Sequence, residues 1–311
     1  MANVVQAWGE GRVSVIILNY NNYADTVECV DGILDADFLD IVLVDNSSPD
    51  GSGERLRSRY SDETNVFYIQ SGENRGYAAG NNIGIKYAFE DLKDEYICVL
   101  NNDTLPRATM FRQLAEYLHS HLACGIVSPV ILENKPGPLI QSAGANIDLR
   151  NGDVSLWHYG ETYEPSDTAA KVPYASGACL MFRASDYKKL GPIPECYFLF
   201  YEETEWCLHA ERSGLDVVCL WGASLVHKGS ASVSNLGPLS RYLMVRNRAL
   251  FEKRNASPAD FKHFFRSTLV HIYARHYIKQ QDCLWEASAL RDGAEDRVRE
   301  EFQFIRGCDL L

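Results

Sequence analysis

The sequence predicts an α/β protein built on a parallel sheet with helices on both faces. Short, continuous apolar runs rich in β-branched residues recur from Val13 onward, each followed by a polar turn, and each turn leads into a segment with helical spacing. Strands buried on two sides need not alternate polar and apolar residues. Unbroken apolar strands between helices therefore imply a parallel sheet inside two helical layers.

Taken in order, Val13 to Leu18, Ile41 to Asp45, Val66 to Gln70 and Tyr96 to Leu100 read as strands. Between them, Asp25 to Leu34 reads as a helix from its apolar positions 27, 30, 33 and 34, followed by Gly53 to Tyr60 and Ala78 to Phe89. From Asn134 to Pro173 the chain is rich in Gly, Pro, Asn and Asp, which predicts loops and hairpins instead of another βαβ unit. After Val172 it becomes dense in aromatic and acidic residues through Tyr197 to Trp206, and Val217 to Trp221 reads as a buried strand. Beyond Ser240, Phe261, Phe264, Phe265, Leu269 and Ile272 form one apolar helical face. These shifts divide the chain into a larger unit over 12–235, with halves 12–104 and 105–235, and a helical region over 236–311. The junction is marked by the Ser, Asn, Gly and Pro of Ser232 to Pro238.

Composition narrows the function. The 311 residues are 46% hydrophobic and 23% charged, ordinary for a folded globular protein. Acids outnumber bases 42 to 30, and a net charge of -12 disfavours general nucleic-acid binding. Residues 241–280 run against this trend, with nine Lys or Arg and two acids. Nine cysteines contain no CxxC pair and sit mostly in apolar runs, so they read as buried thiols in a reducing compartment. Met1 to Arg12 does not have the pattern of a signal peptide, and no run of about 18 apolar residues occurs, so a cytoplasmic location is expected.

In parallel sheets ligands sit beyond the carboxyl ends of the strands. Here those ends are polar: Asn19-Tyr20-Asn21-Asn22, Asp45-Asn46-Ser47-Ser48, Asn74-Arg75-Gly76 and Asn101-Asn102-Asp103. A hard divalent ion takes one or two carboxylates and completes its shell with substrate phosphates, a demand Asp103 meets; otherwise Asn-Asn-Asp is a polar turn. Asp45 at a strand end suits reading a base or ribose, or else caps the following helix. Gly51-Ser52-Gly53 is followed by Leu56 where a dinucleotide fingerprint needs its third glycine, and no Walker loop occurs. Glu202, Glu203 and Glu205 lie among aromatic rings that raise a carboxylate's proton affinity, as a general base requires, or else start a solvated helix. His227 is either a structural histidine or a partner of Asp103 on a borderline cation such as manganese. Arg246 and Arg248 either bind phosphate through forked donors or decorate the basic tail.

Together these segments resemble the family 2 glycosyltransferases, inverting enzymes of the GT-A fold, and within them the rhamnosyltransferase-like branch of surface polysaccharide assembly. Six elements carry the resemblance in the family's order: Val15 to Asn21, Ile41 to Ser48, Asn74 to Asn82, Leu100 to Thr104, Gly177-Ala178 and Tyr201 to Glu203. It spans about residues 13 to 255.

The resemblance implies a Rossmann-like mixed sheet with a C-terminal helical extension. It also implies that Asp45 and the turn of Asn19, Tyr20 and Asn21 hold the nucleotide, with Asn74, Arg75 and Gly76 lining the donor pocket. Asn101, Asn102 and Asp103 correspond to the DxD motif, with only the last acid retained, so the site carries less negative charge than the family's pattern. Asp103, with His227, would hold Mg2+ or Mn2+. Glu202-Glu203 resembles the motif whose second member deprotonates the acceptor, here as Glu in place of the usual Asp. Glu203 is then the base, Glu202 and Glu205 its alternatives. Gly177 and Ala178 match the turn before the acceptor site, with Trp206 stacking on an acceptor sugar. The implied partners are a dTDP- or UDP-sugar, rhamnose first, and a saccharide acceptor of the lipid-linked kind frequent in the family. The basic tail would rest on a membrane, dock on the catalytic unit or join a homodimer. A nicotinamide oxidoreductase and a non-catalytic saccharide-binding protein are the competing classes.

Overall fold

The computed structural model describes residues 11–229 and 237–298. The expected junction at 235–236 falls outside the described residues. Strand and helix alternate at first: β1 (Val13–Asn19), α1 (Tyr23–Asp31), β2 (Leu39–Asp45), α2 (Ser52–Arg59), β3 (Val66–Gln70), α3 (Tyr77–Tyr87) and β4 (Tyr96–Asn101). The middle of the chain holds β5 (Thr104–Leu105), α4 (Ala108–Ser120), β6 (Cys124–Glu133), β7 (Ile140–Ser142), β8 (Ala145–Asp148), β9 (Asp153–Leu156), β10 (Ala169–Lys171), β11 (Cys179–Arg183) and α5 (Tyr187–Leu190). Then come α6 (Glu202–Arg212), β12 (Asp216–His227), α7 (Pro238–Asn255), α8 (Pro258–Tyr277) and α9 (Leu284–Ala294).

The main sheet runs in the order β10-β12-β6-β11-β4-β1-β2-β3. β1 to β4 are parallel, as the sequence predicts, but β11 enters antiparallel between β4 and β6, so the whole sheet is mixed. Successive residues of β1 serve opposite faces. Val13, Val15 and Ile17 pack with α1, α2 and α4 through Cys29, Leu56 and Phe111, while Ile16 packs with α3 and α6 through Ile85 and Trp206. Each such fully buried aliphatic side chain contributes about 1.5–3 kcal/mol.

Three elements differ from expectation. α1 stops at Asp31 because the amide of Gly32 closes on the Glu28 carbonyl (3.2 Å) and the chain then turns, leaving Leu34 packed as part of that turn. After Tyr87, α3 widens into a π-turn over Ala88–Leu92, ended by Lys93 in the left-handed region and closed by its amide on the Ala88 carbonyl (2.8 Å). The strand expected over Val217 to Trp221 continues to His227, because the pairing of β12 with β6 shifts between Leu220 and Ser224 and then resumes. The far end of β12 thereby pairs with β5, setting His227 opposite Thr104. The expected hairpins of 134–173 appear as β7 against β6 and as the β8–β9 ribbon. The apolar face read in 261–272 is the side of α8 that packs on α7 and α9, with Phe264 and Ile272 buried.

Candidate active site at the carboxyl edge of the sheet

Asn19 ties three strand ends together. Its amide donates to Oδ1 of Asp45 (2.7 Å), Oγ of Ser48 (3.0 Å) and Oγ of Ser52 (2.9 Å), and its carbonyl accepts from the Thr26 hydroxyl (2.9 Å). Asn102 donates to that same Thr26 oxygen (2.8 Å), which brings in the end of β4. Asn19 is 0% exposed, and its side chain is taken up in joining these loops. Asp45, 1% exposed, accepts on Oδ1 from Asn19 and Ser48 and on Oδ2 from the Ser48 amide and Gln70 (3.0 Å each). Both of its oxygens shape the loop that follows β2. Tyr20 is half-buried and Asn21 exposed, with Asn21 in the left-handed region and its amide on Ser48 Oγ (3.0 Å).

The next loop is folded on itself. Asn74 Oδ1 accepts from the Asn46 amide (2.9 Å) and the Gly76 N–H (3.0 Å), and Arg75 lies between Glu73 (3.6 Å) and Glu195 (3.5 Å). Asn46, Arg75, Asn82 and Glu195 line a cavity of about 270 Å³. Gly76 sits at φ 94°, where a Cβ would come within 2.2 Å of the Phe198 carbonyl oxygen, so only glycine permits this approach. The Tyr77 amide then donates to that oxygen (2.8 Å), joining the loop to the segment before α6.

At the end of β4, Asp103 is buried, and Nε2 of His227 lies 3.1 Å from its Oδ1 without the alignment of a hydrogen bond. Nδ1 of His227 is 2.7 Å from Oε1 of Gln141 on β7. In the neutral tautomer that donates from Nδ1 to this amide oxygen, the Nε2 lone pair faces a carboxylate. Two electron-rich groups so placed are suited by a shared cation, and oxygen plus imidazole fits Mn2+ or Mg2+. Among the described residues no cluster of three or more His, Cys, Asp or Glu forms a complete metal cage, so substrate oxygens would have to complete the shell. The orphaned, buried Oδ1 of Asn101 lies at the same strand end.

The acidic segment begins at α6. Phe198, Phe200 and Tyr201 all hold positive φ, an arrangement costing about 1–3 kcal/mol each that the surroundings must offset. Glu202 is 3% exposed with Oε2 unpartnered; burial, then the neighbouring Glu203 charge, push its carboxyl well above the usual range. Glu203 is half-buried, and its Oε1 accepts from the Tyr174 hydroxyl (3.1 Å) while Oε2 has no protein partner. Burial raises this carboxyl too, and hydrogen bonds from its own backbone amide, then from Tyr174 and the Thr204 amide, restrain the rise. Glu205 is excluded as the base: burial would raise it, but bonds from Arg254 (2.8 Å), Tyr197 and Asn255 (3.0 Å) hold it below the ordinary value and occupy it.

The cation end and the acidic end share one edge of the sheet. The Asn101 amide donates to the Ala178 carbonyl (3.0 Å), and Gly177 next to it packs on the Glu203 side chain, where a Cβ would stand 3.2 Å from Cγ. The Gly177 carbonyl accepts from the Tyr77 hydroxyl (2.7 Å).

The model of glycosyl transferase family 2 matches residues 14–191. The chain belongs to that family. It is similar to a low-salt glycan biosynthesis hexosyltransferase of Haloferax volcanii, 29% identical over 76% of this chain and 74% of the relative. It is also similar to a dTDP-rhamnosyl transferase of Shigella flexneri, 26% identical over 79% of this chain and 82% of the relative. A mannosyltransferase from Pyrobaculum calidifontis, solved with GDP-Man and Mn2+, shares the fold at a TM-score of 0.55 and 17% identity, over 97% of this chain and 80% of that one. The GT-A fold expected from the motif order is thus the fold of this family 2 chain, with helices at its C-terminus.

Other expectations need correction. Trp206 is 1% exposed, with its ring edge-on to Phe182 (5.3 Å) and its indole N–H on the Gly191 carbonyl (3.1 Å), so it belongs to the core and cannot stack on a sugar. Ala178 is buried and offers only backbone, whereas Gly177 borders Glu203. Neither Arg246 nor Arg248 is a phosphate clamp. Arg246 is buried on the Cys196 carbonyl (2.9 Å) and Asp296 (3.2 Å), and Arg248 binds Asp153 (2.6 Å) and the Asn151 carbonyl (2.7 Å). Sequence reasoning gave no role to Tyr77, Tyr174 or Gln141. Tyr77 lay within a quoted motif and was legible; Gln141 reaches His227 only through strand pairing, which no local pattern announces.

Proposed function

We propose that this glycosyltransferase is an inverting, divalent-cation-assisted enzyme that moves a sugar, rhamnose first, from a dTDP- or UDP-sugar to a saccharide hydroxyl. The observation that supports it best is Glu203, with one oxygen held by Tyr174 and the other buried without a protein partner, on the same sheet edge as Asp103 and His227. Glu203 Oε2 takes the proton from the acceptor hydroxyl as that oxygen attacks the anomeric carbon opposite the diphosphate, and the configuration inverts. Asp103 and His227 would hold the cation, which supplies positive charge to the departing diphosphate. Tyr20, Asn21, Asn74, Arg75 and Asn101 border the donor, Asp45 and Asn19 shape the loops beneath it, and Gly177 borders the acceptor.

The acceptor is proposed to be lipid-linked. In support, α8 turns Lys262, His263, Arg266 and His271 outward, all exposed and with no carboxylate paired to them among the described residues, which suits an anionic bilayer surface. No described helix is long and apolar enough to cross a membrane. A thermal-shift screen of nucleotide sugars with and without Mn2+ tests the donor reading. A dTDP- or UDP-sugar that stabilises the chain only with the metal is the expected result, and indifference to every nucleotide sugar would refute it.

A further inference from the structure

The segment that carries Glu202 and Glu203 is not self-supporting. Three of its residues, Phe198, Phe200 and Tyr201, lie in the left-handed region, and none of them is glycine. Something outside the segment must hold them there. On one side is the donor loop, whose Tyr77 amide binds the Phe198 carbonyl (2.8 Å) at the point where Gly76 leaves no room for a side chain.

On the other side is α7. Asn247, 0% exposed, directs one amide nitrogen at three carbonyls of this segment, those of Tyr197 (2.9 Å), Leu199 (2.8 Å) and Phe200 (3.1 Å). With two hydrogens for three acceptors, at least one bond is shared. The amide oxygen accepts from Arg246 (2.9 Å), which fixes the orientation of the group, and Arg246 also binds the Cys196 carbonyl (2.9 Å). Further along α7, Phe251 packs against the Tyr201 ring (5.6 Å) and Arg254 grips Glu205. The carbonyls of residues 196 to 200 are thus divided between α7 and the donor loop.

We infer that Asn247 is a positioning residue for catalysis: its amide fixes the 197–201 segment in the shape that aims Glu203 at the acceptor hydroxyl. The helical region is on this view part of the active site and not an appendage. The inference rests on the reading of Glu203 as the base. Asn247 touches neither substrate nor Glu203 itself, so its effect belongs in turnover and not in donor binding.

The test compares Asn247→Asp, which keeps the shape but replaces donors with acceptors, and Asn247→Ser with the unaltered protein and with Glu203→Gln. Turnover is read as release of nucleoside diphosphate from the stabilising nucleotide sugar, dTDP-rhamnose being tried first. Binding of the free nucleoside diphosphate with Mn2+ is read by calorimetry. The expected result is a fall in kcat of at least thirtyfold for Asn247→Asp, with nucleotide Kd within threefold and stoichiometry still one per chain. A kcat within threefold of the parent overturns the inference. So does a loss matched by an equal fall in binding stoichiometry, which reports a misfolded fraction. Full turnover by Glu203→Gln instead removes the base assignment itself, whatever the Asn247 variants do. Should neither variant fold, amide exchange in the unaltered protein decides: residues 197–203 must exchange as slowly as α7, and exchange as fast as the exposed β8–β9 ribbon overturns the proposal.

Discussion

Nε2 of His227 and Oδ1 of Asp103 face each other 3.1 Å apart without the alignment of a hydrogen bond. A cation relieves that opposition, and its removal restores it. His227→Ala should therefore weaken Mn2+-dependent nucleotide binding by ~10–100-fold, as loss of a metal-site partner does, and leave metal-free nucleotide binding unchanged. Calorimetry with and without Mn2+ checks both; equal affinity in the two proteins would remove His227 from the site.

Glu203 works as a base only when ionised. Burial raises its carboxyl, and backbone amides together with the Tyr174 hydroxyl restrain that rise, so activity falls as pH drops through a value above the ordinary glutamate range. Tyr174→Phe deletes one of these restraints and moves this acid limb to higher pH. Glu203→Gln lowers kcat by ~10²–10⁴-fold, the usual share of a general base, while nucleotide binding persists. A pH–rate profile of Tyr174→Phe that overlays the parent's would show that the hydrogen bond has no part in the reaction.

Glu252 on α7 is fully buried with neither oxygen partnered, and burial pushes its carboxyl up to about 8. The folded state holds this proton more tightly than the unfolded chain, so the associated stability is full at acid pH and is lost as pH rises toward 8. Glu252→Gln removes the dependence. Its gain in stability should be near zero at pH 4 and grow by about 1.4 kcal/mol per pH unit until the buried group ionises. Denaturant melts at pH 5, 7 and 9 check the trend, and a constant difference across them contradicts it.

Trp206 gives a control for the corrected acceptor site. Trp206→Ala opens a cavity beside Phe182 and should cost ~3–5 kcal/mol of stability. Trp206→Phe keeps most of the packing and should leave the acceptor KM within about twofold, since no sugar reaches this ring. A large rise in KM at unchanged melting temperature would return Trp206 to the site.

The outward face of α8 predicts pelleting with vesicles rich in anionic lipid and none with zwitterionic vesicles, each surface cation adding about 1 kcal/mol. Reversing Lys262 and Arg266 to Glu should abolish it without touching turnover on a soluble acceptor. Equal pelleting of the parent and the reversed variant would dismiss the membrane contact.

Much of this was legible in the residues themselves. β1 to β4 announced themselves because both faces of each strand are covered, which leaves unbroken apolar runs such as Ile41 to Val44. Asp103 and Glu203 stand out as candidates because polar residues at strand ends and acids among rings are local signals. Trp206 misled because an aromatic next to acids looks the same in sequence whether it lines a cleft or a core, and only the direction of α6 decides. Asn19 is ambiguous for a related reason: a polar residue at a strand end serves a ligand or its own neighbours, and here four neighbours claim it. Asn247 was silent because its partners are carbonyls some fifty residues earlier, and backbone acceptors leave no trace in the pattern of side chains.

The irregular stretch of β12 has a consequence for how such chains diverge. From Ser224 onward the strand is phased so that residue 227 lies opposite Thr104, and that phase depends on the number of residues in the Trp221–Gly222–Ala223 detour. A slip of that end by one residue would bring Lys228 opposite Thr104 in place of the imidazole and turn His227 to the other face of the strand. Length here is as tightly constrained as identity. Identity matters there as well, since Ala223 is buried in the core and the Trp221 ring packs on His158 and Tyr163.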